Sequence, residues 1–243
     1  MSQTLSTFFR RYIYVLLGVA ALVIVHIGFA RTYIAPVLSG TYTGRKVLHA
    51  HGAIFMAWVI LCIVQPFLIQ KKQIQLHRKI GVYGAVLGGL VTLMGLYIGI
   101  SGAHTNMARD GEQAVKAFLL IPITDMILFP LFVTLAIRNV KNPESHKRYI
   151  LLATLSILPA ATGRIMPLFS WWTGNIVIDT VLELSIMEIT LYLGIIYDII
   201  VRKKIHPVYI WGGLLVLFIH AFRGWASNTE TWLSISNWIV NNS

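Results

Sequence analysis

Apolar residues along this chain fall into seven blocks, at 12–30, 47–69, 79–100, 115–137, 148–168, 177–200 and 207–223. A helix takes about 20 predominantly apolar residues to cross the hydrocarbon core of a bilayer, so each block predicts one transmembrane helix. The connectors are short and polar: Thr41-Tyr42-Thr43-Gly44, Gln70-Lys71-Lys72-Gln73, Asn142-Pro143-Glu144-Ser145 and Arg202-Lys203-Lys204. None is long enough to separate domains. The pattern predicts an all-α fold over residues 1–243, a single polytopic bundle of seven transmembrane helices. The longest polar stretch, around 101–114, predicts a loop that caps the helix ends on its side. Beyond Arg223, residues Trp232, Ile235, Trp238 and Ile239 recur at near-helical spacing with Asn and Ser between them. They predict a short amphipathic helix lying at the membrane interface, where Trp partitions well.

Composition agrees with this pattern, at 56% hydrophobic and 12% charged residues in 243. A formal net charge of +11 would suggest a nucleic-acid partner for a soluble protein, so the placement of the cations decides. They lie between the blocks. With a cytoplasmic N-terminus, thirteen fall on inner segments (Arg10, Arg11, Lys71, Lys72, Arg78, Lys79, Arg138, Lys141, Lys147, Arg148, Arg202, Lys203 and Lys204). Six fall on outer ones (Arg31, Arg45, Lys46, Arg109, Lys116 and Arg223), and Arg164 sits inside a block. The positive-inside rule then gives N-in, C-out, and the basicity serves orientation and anionic lipid rather than nucleic acid. Cys62 is the single cysteine, which excludes an intrachain disulfide. The apolar run after Arg10-Arg11 exceeds a signal-peptide core and reads as a retained first helix.

Ionisable groups inside a bilayer cost a few kcal/mol each, roughly 2.5–3.5 on insertion scales, so those that persist face the bundle interior and have a partner. In the N-in arrangement the outer half receives His26, His49, His51, His104 and His220, with Asp125, Asp179, Glu183 and Glu188 at varying depth and Arg164 near the end of the fifth helix. His49 and His51 are about 200° apart on a helix, so one faces the core. His51 shares its side with Phe55, Trp58, Cys62 and Gln65 and is the inward candidate. Imidazole and carboxylate together suit zinc, copper or iron. The metal-ligand candidates are His26, His51, His104, His220 and Glu183, and the cofactor-binding candidates are His51, His104 and Arg164. The catalytic candidates are Asp125, Glu188 and Arg164. Asp125 lies between Pro122 and Pro130, where a bent helix can open a polar cavity, and Arg164 would neutralise one of the acids Asp125, Asp179 or Glu183. Each group also has a purely structural reading, as a satisfied interior or interfacial residue. The same holds for His77, His146 and His206, each opening a helix beside basic residues.

The motifs His49-Ala50-His51-Gly52, Trp58, Gln65-Pro66, His77-Arg78-Lys79-Ile80-Gly81 and His146-Lys147-Arg148-Tyr149, with Arg164, resemble a family of bacterial multi-span integral membrane proteins to which no activity is attached. That resemblance covers about two-thirds of the chain and implies a multi-pass protein of the cell inner (plasma) membrane. A looser similarity to four-helix di-haem b-type cytochromes implies histidine pairs near both faces, although helix number and spacing differ. Membrane zinc hydrolases, which include the alkaline ceramidases, share seven helices with His and Asp ligands, but their closing His-x-x-x-His is absent and His220 stands alone.

The expected function is a membrane redox or metal-dependent enzyme with a His and carboxylate site in the outer half, holding a metal ion (zinc, iron or copper) or haem b. A non-catalytic assembly protein supporting another membrane protein, and a small proton-coupled transporter, are the alternatives.

Overall fold

The computed structural model describes residues 3–165 and 188–242. Among these residues, five helical stretches are long and apolar enough to cross a membrane: Phe8–Leu38, Val47–Gln70, Ile74–Met107, Glu112–Arg138 and Pro207–Ala226. The protein is therefore a helical, multi-span membrane protein whose spans contact lipid.

The first span joins α1 (Gln3–Phe29) through a π-helical turn at Ala30–Ile34 to α2 (Ala35–Leu38). It is followed by α3 (Val47–Gln70), α4 (Ile74–Asp110), α5 (Glu112–Phe118) and α6 (Leu120–Arg138). The local chemistry explains where these elements stop. The turn from α3 to α4 places Lys72 at φ 57, and Gly111 ends α4 at φ 85, a left-handed conformation that glycine adopts without a Cβ clash. Pro122 supplies no N–H to the turn before it, and α5 gives way to α6 at Leu119 just upstream.

The sequence pattern misses two features here. The polar stretch at 101–114 is helical on both sides of Gly111, because α4 continues to Asp110. The fifth block is broken: α7 (Pro143–Ser156) and α8 (Pro159–Ile165) meet at Ile157-Leu158, immediately before Pro159. A proline is tolerated in the first turn of a helix but not in its interior, and this one restarts the chain as α8. Only the last part of the sixth block is described, as α9 (Ile189–Tyr197) followed by a π-helical turn at Asp198–Arg202. The chain closes with α10 (Pro207–Ala226) and α11 (Glu230–Asn241).

The core gathers on α7, which packs against α1, α3, α6, α9 and α10. Its side chains from Arg148 to Ser156 are buried all round except Ile150, which is partly so. A helix apolar on every side belongs at the centre of a bundle. Phe129 and Phe132 of α6, Leu152 and Leu155 of α7, Leu191 of α9 and Val216 of α10 are sealed within one cluster. Outward-facing rows such as Val82, Val86, Leu90 and Leu93 on α4, and Leu214, Phe218, Phe222 and Trp225 on α10, remain exposed, as lipid-facing helices require.

The C-terminal helix forms where its sequence predicts, capped by Thr229, whose Oγ1 accepts from the Trp232 N–H at 3.3 Å. It docks on protein along one side. Trp232 Nε1 donates to the Lys116 carbonyl at 2.9 Å, and Val240 is buried against Ala103, Val115 and Leu119. Trp238 stays exposed.

Candidate functional site

Two clusters of buried charge occupy opposite ends of the bundle, and they differ in one respect that matters for chemistry. At one end, Arg148 of α7 is fully buried and spends its guanidinium on several acceptors. Its Nε donates to Asp198 Oδ2 at 3.1 Å and its Nη2 to Asp198 Oδ1. Its Nη1 donates to the Glu144 carbonyl at 2.7 Å and to Glu144 Oε2 at 2.8 Å. The second Asp198 oxygen also accepts the His206 N–H at 3.0 Å, and Arg202 reaches Glu144 at 3.1 Å. Burial pushes the Glu144 carboxyl up, yet hydrogen bonds from Lys147 and Arg148 override it and hold it at about 2. Burial and the nearby Arg148 and Arg202 lower the His206 imidazole from its ordinary value. Every buried charge here has a partner, so this cluster is a fastening.

The three helix-opening histidines have similar duties. His206 caps α10 by accepting the Val208 N–H on Nδ1 at 3.2 Å, and His146 Nδ1 pairs with the Ala136 carbonyl at 2.9 Å. With its amide oriented to accept from the Gly81 N–H at 3.0 Å, Gln65 donates to His77 Nδ1. The His206 bond closes a helix end and the other two each tie neighbouring helices together, which favours their structural reading.

At the other end, α6 brings in Thr124 and Asp125, α10 brings in His220 and Arg223 one turn apart, and Glu188 stands at the start of α9. Arg223 Nη2 donates to Asp125 Oδ1, and its Nε donates to Thr124 Oγ1 at 2.7 Å. His220 Nδ1 is hydrogen-bonded to Glu188 Oε1, with both side chains wholly removed from the surface. The charges of His220 and Glu188 act on Asp125 as well, so the two couples form one quartet. Unlike the Arg148 cluster, this one has polar atoms left over. Glu188 Oε2, His220 Nε2, Arg223 Nη1 and the neighbouring Thr190 hydroxyl are buried without a hydrogen-bond partner among the described residues. Buried polar atoms are nearly always paired, and exceptions concentrate where chemistry happens.

The remaining sequence candidates distribute differently. His51 does face inward more than His49: its Nδ1 is buried and unpartnered among the described residues, and its ring packs on Phe55 at 4.2 Å. His49 is exposed and bonded through Nδ1 to the Tyr33 hydroxyl at 2.7 Å. His26 is exposed and bonded to the Leu22 carbonyl of its own helix at 2.9 Å. His104 lies exposed on α4. Glu183 and Asp179 lie outside the described residues. Arg164 is not the partner of Asp125. Its guanidinium lies 4.6 Å over the Phe29 ring and donates to the Ala160 carbonyl. The partner is Arg223, one turn after His220 on α10, and this spacing was the available signal. Among the described residues, no group of three or more His, Cys, Asp or Glu side chains is placed to hold a metal ion.

A guanidinium keeps its proton under all ordinary conditions, so the Asp125–Arg223 couple presents a fixed cation to the quartet. The carboxylate and imidazole of Glu188 and His220 can each hold or release a proton, so this couple is the mobile part. Comparison with known protein families, curated proteins and solved structures finds no match, so these residues are interpreted on their own geometry.

Proposed function

We propose that this protein handles protons at the Glu188–His220 couple, beside the fixed Asp125–Arg223 pair, in the service of membrane redox chemistry or proton-coupled transport. In this reading the chain makes seven spans, N-in and C-out, in the cell inner membrane, and the quartet lies in the outer half. The observation that carries it is the buried carboxylate–imidazole bond, with one atom on each side unpartnered among the described residues. Two carboxylates and one guanidinium leave a charge of −1, and a low-dielectric interior favours neutrality. Uptake or release of a proton at the couple is the event that other chemistry can drive.

A second reading keeps the metal ion or haem b. An imidazole whose Nδ1 is braced by a carboxylate is the usual form of a ligating histidine, and His220 Nε2 has that form. It would be one ligand, with His51, His104, His26 and Glu183 as the further candidates. The proton reading is preferred because it needs only residues already in contact.

The test is infrared difference spectroscopy of the detergent-purified protein during pH titration. Glu188→Gln and His220→Gln are each expected to remove one titrating feature, the same in both, while unfolding temperature confirms that the variants remain folded. A titration unchanged in both variants would reject the reading. A Soret band or stoichiometric metal lost in His220→Gln would establish the second one.

A further inference from the structure

At the Arg148 end of the bundle the described cations outnumber the carboxylates, and the surplus has a definite place. Glu144 and Asp198 spend their oxygens on Lys147, Arg148, Arg202 and the His206 N–H. Beside them stand three exposed cations outside those pairs: Arg10 of α1, and Lys203 and Lys204 of the turn between α9 and α10. One contact brings the two segments together. Arg10 Nη2 donates to the Val201 carbonyl at 3.3 Å, and Val201 precedes Lys203 by two residues, which keeps their Cα atoms within about 7.6 Å. Two helices thus deliver a guanidinium and a lysine pair to one corner of the bundle.

A guanidinium offers five N–H donors in a planar fork, of which the Val201 carbonyl takes one. Phosphate oxygens suit that fork, and lysine ammonium groups beside it act as point charges on the same anion. The surroundings select the source of the phosphate. Ile196, Ile199 and Ile200, within two turns before Lys203, are all exposed, as side chains facing acyl chains are. An anion at this corner therefore sits where the apolar surface of α9 gives way to charge. Basic pockets between transmembrane helices hold lipid headgroups by this combination.

The geometry points to a binding site for the headgroup of an anionic phospholipid at the foot of α1 and α9. Arg10 holds the phosphate, Lys203 and Lys204 supply the surplus charge, and the three isoleucines receive an acyl chain. Held there, the lipid ties α1 to the α9–α10 turn beside the Arg148 fastening. The site goes beyond the proton-handling reading and is independent of it, because the quartet lies at the other end of the bundle.

Lys203 and Lys72 share a φ of 57, a left-handed backbone that glycine adopts with less crowding. Glycine at either position keeps its turn while removing one charge from the same end, so Lys72→Gly, in the turn between α3 and α4, is the matched control. The experiment titrates the full chain in detergent with phosphatidylglycerol or phosphatidylcholine of identical acyl chains and reads the first bound lipid by native mass spectrometry. The first phosphatidylglycerol is expected to bind at least about fivefold tighter than phosphatidylcholine, and Arg10→Gln and Lys203→Gly each to lose about fivefold, as one cation near an anionic headgroup contributes. Lys72→Gly is expected to lose less than about twofold on the same scale. Unfolding temperatures without lipid check that the variants are folded, and phosphatidylglycerol should raise that of the unaltered protein more than that of Arg10→Gln. Equal losses in Lys72→Gly and Lys203→Gly would assign the attraction to the whole basic face and overturn the site. No preference for phosphatidylglycerol in the unaltered protein would overturn it as well. Glycerol phosphate raising the unfolding temperature as far as the lipid does would make this a site for free phosphate, which overturns the lipid.

Discussion

At the scale of residues, the two ends of the bundle respond differently to substitution. Removing one member of a buried ion pair leaves the other uncompensated, which typically costs about 3–5 kcal/mol, whereas replacing both by apolar groups often costs little. Arg223→Leu is therefore expected to destabilise the protein more than the Arg223→Leu, Asp125→Leu double variant does, and a double-mutant cycle in denaturant unfolding measures the difference. The Arg148 cluster answers to acid instead. Glu144 titrates at about 2 when folded, below its ordinary 4.5, so its contribution is complete above the ordinary value and fades as pH falls from 4.5 toward 2. The carboxylate is 44% exposed, which keeps that contribution small. Glu144→Gln is expected to flatten the dependence of unfolding temperature on pH across that window, and an unaltered acid limb would show that Glu144 is not its source. Asp125, Glu188 and His220 were visible in the sequence because a charge inside an apolar run is conspicuous by itself. Their pairing was not, since the partners lie 98 and 32 positions apart and sequence distance says nothing about which helices adjoin.

At the scale of elements, hydrophobic patterning located helices well and their interruptions poorly. A 20-residue apolar window averages over Pro159, so the break between α7 and α8 disappears within it. Polar character at 101–114 suggested a loop, although polar residues on a helix projecting beyond the hydrocarbon are equally soluble. Close contact between elements depends on a few small residues. Gly28 lies against the backbone of Ala161, and a methyl added there would overlap that residue's carbonyl. Gly28→Ala is therefore expected to push α1 from α8 and cost about 1–3 kcal/mol, as overpacking usually does, while Gly89→Ala, with open space around it, serves as the neutral control for unfolding temperature. The docking of α11 predicts that Trp232→Ala, which loses both ring burial and the bond to Lys116, speeds protease cleavage near residue 229. Trp238→Ala, altering an exposed ring, should leave that rate unchanged in detergent.

At the scale of the whole molecule, the proposed N-in, C-out orientation rests on thirteen inner against six outer cations. A reporter placed within 70–77 is expected to be active in the cytoplasm and one fused after Ser243 outside it; cytoplasmic activity from the second would reject either the span count or the orientation. The length of α4 carries a different consequence. Its 37 residues make a rod about 55 Å long, against a hydrocarbon core about 30 Å thick. The apolar block at 79–100 matches that thickness at about 33 Å, so the polar ends of the rod project from it, and one of them is clamped by α11 through Ala103 and Val240. The membrane's own thickness thus sets how high that clamp stands above the headgroups. In a thicker bilayer the exposed indole of Trp238 is drawn down into the interfacial layer, and in a thinner one it is lifted into water, so lipid chain length becomes a mechanical input to the end of the protein that holds the quartet.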